Sequence, residues 1–120
     1  MRARWAELFL EFDAFICPVA PHAATPHDPT PDLDARTITI NGEPRPYWDQ
    51  LAWITYASAA YLPAASVPVG LTESRLPVGL QVIGPYLEDR TVLDVARRVA
   101  ELVGGFDAPP AFRQAVTAGA

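Results

Sequence analysis

The sequence predicts an α/β protein in which a short mixed β-sheet packs against helices. Segments with helical and strand-like spacing alternate along 120 residues, a length that suits one domain or part of a larger one. Two observations carry the prediction: a long amphipathic segment near the C-terminus, and apolar runs bounded by proline and glycine. Half of the residues are hydrophobic, so the chain has material for a core.

The N-terminal third predicts a helix, a strand and a long loop. Residues 3–12 place Trp5, Leu8, Phe9 and Phe12 at helical spacing. The apolar run 13–17 is short enough for a buried strand of a parallel or mixed sheet. Residues 18–35 contain repeated prolines, which exclude regular helix and predict an extended, functional or mobile loop.

The middle of the chain predicts an edge hairpin and a buried helix. Asn41-Gly42 is the favoured two-residue hairpin turn, and Pro44 and Pro46 weaken the returning strand. Residues 47–62 predict a helix that ends before Pro63 and is apolar nearly all round. A helix of this kind must pack against other elements on most of its surface. A chain of this size does not supply enough such elements by itself.

The C-terminal half predicts two strands and an amphipathic helix. The strands cover 64–70 and 77–84, with a turn at 72–76, and the helix covers 89–103. Asp89 is the predicted N-cap, and Gly104-Gly105 the predicted stop. A weak helix over 111–116 follows. We assign residues 1–105 to one segment and expect 106–120 to be a flexible C-terminal tail.

Composition excludes several classes of function. The net charge is −5 and the nine basic residues are all arginine, which argues against nucleic-acid binding. The uncharged stretch 50–72 is interrupted by prolines, so no membrane span or membrane partner is expected. The single Cys17 allows no internal disulfide and predicts a cytoplasmic protein. No cofactor is indicated.

Cys17, His22, His27 and Asp28 raise two sharper hypotheses, a Cys-His nucleophile and a metal site. Their spacing matches no zinc signature, and a cysteine on a buried strand ordinarily behaves as a small hydrophobe. We therefore predict no metal site and solvated loop histidines. The three glycines of the strand region form no phosphate loop and are expected to end strands or permit close packing. These are Gly70, Gly79 and Gly84.

Residues 62–101, LPAASVPVGLTESRLPVGLQVIGPYLEDRTVLDVARRVAE, resemble the C-terminal stretch of the amidase signature family. FDAFICPVAP at 12–21 is similar to a strand of that family that ends in a proline-containing loop, and the hairpin and helix segments lie between the two blocks. The resemblance extends over about residues 10–103. Its matching positions are Leu62-Pro63-Ala64, Pro68-Val69-Gly70, Leu76-Pro77-Val78-Gly79-Leu80-Gln81, Gly84-Pro85 and Asp89.

The resemblance implies an amidase fold and amide hydrolysis by a serine, a second serine in a cis peptide and a lysine base. In the family the serines lie upstream in a Gly/Ser-rich stretch. This chain contains only Ser58, Ser66 and Ser74, and no lysine. A serine hydroxyl is a weak nucleophile without a positioned base, so we predict no catalytic residue here and no catalysis by this chain alone.

By position, the resemblance implies that the chain forms a wall of the substrate cleft. The implied substrate-binding residues are Pro18, Val19, His22, Tyr47 and Trp48. The expected partner is the missing N-terminal amidase half, or a second copy that packs against the apolar surface near Trp53 and Tyr56. The alternative is a non-catalytic interaction or structural domain derived from an amidase. Met1 directly before a helix favours a short reading frame, with a truncated gene, a split gene and a fragment left open.

Overall fold

The structure, a computed structural model, describes residues 1–112 and confirms the α/β class. Helices and strands alternate in the order expected from the sequence. The elements are α1 (Arg2–Leu8), β1 (Phe15–Pro18), β2 (Thr37–Ile40), β3 (Glu43–Pro46), α2 (Ile54–Ser58), β4 (Ala64–Leu71), β5 (Pro77–Ile83) and α3 (Asp89–Val103). Short 3₁₀ turns lie at Leu33–Ala35, Tyr47–Leu51 and Pro110–Phe112.

The main sheet has the strand order β1-β5-β4, and both of its strand pairs are antiparallel. The prediction of a mixed sheet is wrong for the described residues. Residues 72–76 are too few for the crossover that parallel neighbours require, so β5 turns back along β4. This turn is closed by a hydrogen bond of 2.9 Å from the Thr72 amide to the Leu76 carbonyl.

Both faces of the main sheet are covered by helices. Val82 and Ile83 are adjacent on β5, point to opposite faces and are fully buried. On the Val82 side, α3 packs through Val92 against Val67. On the Ile83 side, the buried residues come from β1, α2 and the segment after α2, with Trp5 and Phe9 packed against them. The central strand is thus the part of the sheet that is enclosed from both sides.

The predicted edge hairpin is confirmed as β2 and β3, which form a separate two-stranded sheet. Asn41 and Gly42 have φ values of 53° and 83°, as expected for the type I′ turn that suits two-residue hairpins. Every residue of β3 is exposed, while Ile38 of β2 is buried. The hairpin therefore faces the preceding loop through β2, while β3 is open to solvent.

The prediction of a continuous buried helix over 47–62 is wrong. The segment divides into a 3₁₀ turn and the short α2, because i→i+3 hydrogen bonds replace part of the α-helical ladder. Tyr61 then adopts a left-handed φ of 55°, and the Leu62 amide donates to the Ala57 carbonyl, a Schellman-type closure. Tyr61 is 78% exposed, whereas Ala57, Ala60 and Leu62 are buried, so only one side of the segment packs into the core.

The first and last helices each differ from the prediction at one end. The α1 helix ends at Leu8 instead of residue 12, which leaves Phe12 56% exposed. The predicted bounds of α3 and its glycine stop are confirmed, and Gly104 has a left-handed φ of 94°. The predicted N-cap is wrong, because Asp89 is the first helical residue and Glu88 precedes it. Most of the weak helix predicted over 111–116 lies outside the described residues, as does most of the predicted tail.

Candidate functional site

Two cavities open on either side of the loop that follows β1. The first, the loop–hairpin cavity, has a volume of about 520 Å³ and lies between residues 22–29 and β2. The second, the loop–sheet cavity, has about 490 Å³ and lies between residues 18–24 and the turn end of β4 and β5. His22, Ala23 and Ala24 line both. The loop is thus a partition between two adjoining spaces.

His22 stands at the junction of the two cavities, where its Nδ1 makes a local hydrogen bond. Its Nδ1 lies 2.6 Å from the Ala23 carbonyl oxygen, and because a carbonyl can only accept, Nδ1 carries the proton. Nε2 is a buried polar atom that the described residues leave without a hydrogen bond.

The predicted binding residues divide between the cavities. Pro18 and Val19 line the loop–sheet cavity, Tyr47 lines the loop–hairpin cavity, and His22 lines both. Trp48 is not among the lining residues of either. Four of the five predicted residues therefore lie on one continuous surface.

Neighbouring side chains hold Tyr47 and Trp48 in place. The Arg36 guanidinium lies 5.7 Å from the centre of the Tyr47 ring, and the Trp48 ring meets Tyr47 edge-on at 5.4 Å. The Trp48 indole N–H donates to the Asp34 carboxylate. Arg36 is itself tied to the loop through a hydrogen bond of 2.7 Å to the Thr30 carbonyl. The hairpin and loop walls are therefore joined through these side chains.

Asp28 supplies negative charge to the loop–hairpin cavity. Hydrogen bonds from Thr30 hold the pKa of the Asp28 carboxyl below its usual value, and Arg36 and His27 lower that pKa further. The backbone bond, from the Thr30 amide, measures 2.9 Å. Asp28 is therefore ionised at neutral pH, next to a cavity whose other described walls are mainly apolar or neutral polar.

Cys17 has a packing role in this structure. It is 4% exposed, and the Gln81 side-chain amide donates both to its sulfur at 3.4 Å and to the Trp53 carbonyl at 3.3 Å. Gln81 thereby connects β1, β5 and the start of α2. Among residues 1–112, no group of three or more His, Cys, Asp or Glu side chains is arranged to hold a metal ion.

Nothing in the sequence indicated that several of the residues lining the two cavities would be candidate binding residues. Thr37 and Thr39 face the loop–hairpin cavity from β2, and Ser66 and Gly79 line the loop–sheet cavity. A Cβ on Gly79 would lie 3.1 Å from the Val67 carbonyl and 3.4 Å from Ser66 Oγ. The expectation of close packing at this glycine is confirmed. The Leu-Pro-x-Gly pattern was the only feature of the sequence that drew attention to this glycine.

Comparison with known proteins identifies the class of protein to which this fold and loop belong. The sequence matches the family described as Amidase over residues 1–93, so the chain belongs to the amidase family. Among curated relatives, the A subunit of the glutamyl-tRNA(Gln) amidotransferase of Exiguobacterium sp. is 36% identical over 116 residues, which is 91% of this chain and 20% of the relative. The corresponding protein of Ehrlichia ruminantium is 32% identical over 83% of this chain and 18% of its own length.

Solved structures show the same fold. A crystal structure of an amidase superposes with a TM-score of 0.68 at 24% identity, with 86% of this chain and 22% of that chain covered. The glutamyl-tRNA(Gln) amidotransferase A subunit of Thermotoga maritima superposes with a TM-score of 0.64 at 30% identity, over 83% of this chain and 20% of that one. The chain thus spans about a fifth of the length of the relatives that it matches. In the described residues no helix is both long and apolar enough to cross a membrane.

Proposed function

We propose that this chain is the C-terminal, cleft-forming portion of an amide hydrolase and does not catalyse hydrolysis by itself. The observation that carries the proposal is the pair of adjoining cavities along the loop after β1, on a chain that covers about a fifth of its amidase relatives. The resemblance implies that the nucleophilic serine, the cis-serine and the lysine lie in another segment. No lysine occurs in this sequence.

The cleft wall would bind the part of the substrate next to the amide. Pro18 and Val19 offer apolar contact, and the His22 ring lies where the two cavities meet. Tyr47 closes the neighbouring cavity, with Trp48 acting through its edge contact to that ring. Relatives named as amidotransferase subunits favour an amide as the reacting group.

Reconstitution tests this proposal. The Thermotoga maritima relative, expressed without the segment that this chain matches, serves as the complementing fragment. We expect a mixture of the two to hydrolyse simple amides faster than either component. In that mixture Tyr47→Ala should change the ratio of kcat/KM values between a small and a bulky amide by about 10-fold, as for loss of one apolar contact.

Tyr61→Ala is the matched control, because Tyr61 is an exposed tyrosine that lines neither cavity. It should leave the ratio unchanged. Equal effects of the two substitutions would contradict the cleft-wall assignment. Hydrolysis by this chain alone would contradict the claim that it does not catalyse by itself.

We expect the protein in the cytoplasm, on the grounds of its single cysteine.

A second candidate is a non-catalytic interaction domain derived from an amidase. The exposed apolar surface around α2 favours it, since Tyr56 is 43% exposed beside the partly buried Trp53. Substitution of Tyr56 by aspartate should then abolish self-association in sedimentation experiments. Trp53 is a poorer test site, because its ring packs against the core of this chain.

A further inference from the structure

The loop–hairpin cavity has one acidic wall. Of the residues that the structure describes around this cavity, Asp28 is the only one with a carboxylate, and none is an arginine. The other lining side chains are apolar groups, hydroxyl groups and two imidazoles, and they include the buried Ile38 and the half-buried Tyr47. The cavity therefore combines apolar surface with a single fixed negative charge, an arrangement that orients a ligand by one polar group.

The Asp28 carboxylate has no ion-pair partner in the described part of the chain. Its Oδ1 accepts a hydrogen bond of 2.9 Å from the Thr30 amide, and a carboxylate has about four acceptor positions, so others stay open. Arg36 and His27 act on Asp28 only at longer range. Arg36 Nε donates instead to the Thr30 carbonyl at 2.7 Å. A cation from outside the chain can therefore pair with Asp28.

A second aspartate in the same loop provides an internal comparison. Asp32 Oδ1 accepts a hydrogen bond of 3.0 Å from the Asp34 amide, which is the same two-residue turn that Asp28 makes with Thr30. Asp32 is exposed and lines neither cavity. The two aspartates thus share their local geometry, and only Asp28 places its charge beside an apolar wall.

From this contrast we propose that the loop–hairpin cavity selects amides that carry an ammonium group, and that Asp28 is the residue that determines this specificity. The ammonium group pairs with the Asp28 carboxylate, and the chain that links it to the amide packs against Ile38 and Tyr47. The net charge of −5 favours the approach of a cation. This specificity rests on the proposed amide hydrolysis and adds to it the charge of the substrate.

Two amides of the same length test the specificity on the intact chain. The amine of γ-aminobutyramide is protonated at neutral pH, like that of lysine, and takes the place of the terminal methyl group of valeramide. We expect the chain to prefer γ-aminobutyramide in NMR titrations, with shifted amides in residues 22–29 and 37–39. Added salt should reduce the preference, because screening weakens partly exposed ion pairs. Equal affinities, or a preference that salt does not change, would overturn the proposal.

Asp28→Asn and Asp32→Asn form a matched pair of variants. Asparagine keeps the side-chain oxygen that accepts the turn hydrogen bond and removes the negative charge. Asp28→Asn should lower the ratio of the two affinities by about 5-fold, the size of a partly exposed ion pair, and Asp32→Asn by less than about 2-fold. The same loss in both variants would refute the assignment, since net charge alone would then explain it. Circular dichroism checks folding, and the salt dependence of the unsubstituted chain decides the matter if Asp28→Asn does not fold.

Hydrolysis by the reconstituted mixture separates this specificity from the proposed function. A mixture that hydrolyses both amides with equal kcat/KM would support the function and overturn the specificity. A mixture that hydrolyses neither amide, while the chain binds γ-aminobutyramide through Asp28, would support the ammonium site and contradict the proposed function.

Discussion

Adding a methyl group at Gly84 tests how tightly α3 packs on the sheet. A Cβ at this position would lie 2.4 Å from Val92 Cγ2, well inside the ~3.5–4.0 Å of an ordinary carbon–carbon contact. Val92 is 2% exposed and the adjacent Ile83 is fully buried, so neither side chain has room to move. Overpacking of this kind destabilises by about 1–3 kcal/mol, and we expect that loss for Gly84→Ala.

The same geometry predicts how the loss is reversed. Val92→Ala alone should cost about 1–3 kcal/mol through lost burial and a cavity. With Cγ2 removed, the nearest atom to the new methyl group is the Cβ of residue 92 at 3.7 Å, an ordinary contact. The double variant should therefore be about as stable as Val92→Ala alone, with a coupling of about 1–3 kcal/mol.

Urea unfolding followed by tryptophan fluorescence measures the four free energies of this cycle. Gly42→Ala is the control partner for Val92→Ala, because a Cβ at Gly42 meets nothing within 4 Å. That pair should be additive. Additivity for Gly84→Ala with Val92→Ala as well, within about 0.5 kcal/mol, would refute the packing argument.

Three further predictions concern single positions. Gly42→Ala should lower the free energy of unfolding by about 1–2 kcal/mol, because alanine is strained at the left-handed φ of 83°; thermal unfolding measures this, and no change would contradict the turn assignment. Gln81→Leu should lower it by about 1–3 kcal/mol in urea, since the Trp53 carbonyl loses its amide donor, whereas a neutral result would mean that water replaces the amide. Hydrogen bonds from Arg97 and Arg98 lower the pKa of the Asp94 carboxyl below its usual value, so its stabilising contribution is present above the unfolded-state pKa and is lost as the pH falls through the lower folded-state pKa. Asp94→Asn should therefore show a smaller fall in melting temperature than the unsubstituted chain as the pH is lowered through that range, and equal falls would contradict this ion pairing.

Local signals in the sequence predicted the elements that depend on local physics. The Asn41-Gly42 turn requires two left-handed residues, and the apolar stripe of α3 with its glycine stop fixes that helix from its own residues. The prediction of one continuous helix over 47–62 was wrong because the apolar composition of this segment does not determine which i→i+3 and i→i+4 hydrogen bonds form. Its left-handed residue, Tyr61, is not one that normally signals a helix end.

The candidate site was predictable only through the resemblance. Composition gave no reason to group His22 with Tyr47, which lie in a proline-rich loop and beyond a hairpin. The structure brings them to one cavity because β2 packs alongside the loop. From the sequence, Asp28 was considered only as a candidate metal ligand. Its lowered pKa at the cavity wall results from hydrogen bonds with Thr30 and from the charge of Arg36. Such contacts between distant segments leave no periodic pattern in a single sequence.

Covalent labelling with a fluorophosphonate probe, read by intact mass, tests whether this chain can catalyse by itself. We expect no adduct on the folded 120-residue chain, because it has no lysine to activate Ser58, Ser66 or Ser74. We also expect an adduct on the complementing fragment that forms faster when this chain is present. An adduct on this chain alone would show that a serine here is activated without lysine, and would contradict the proposed non-catalytic role.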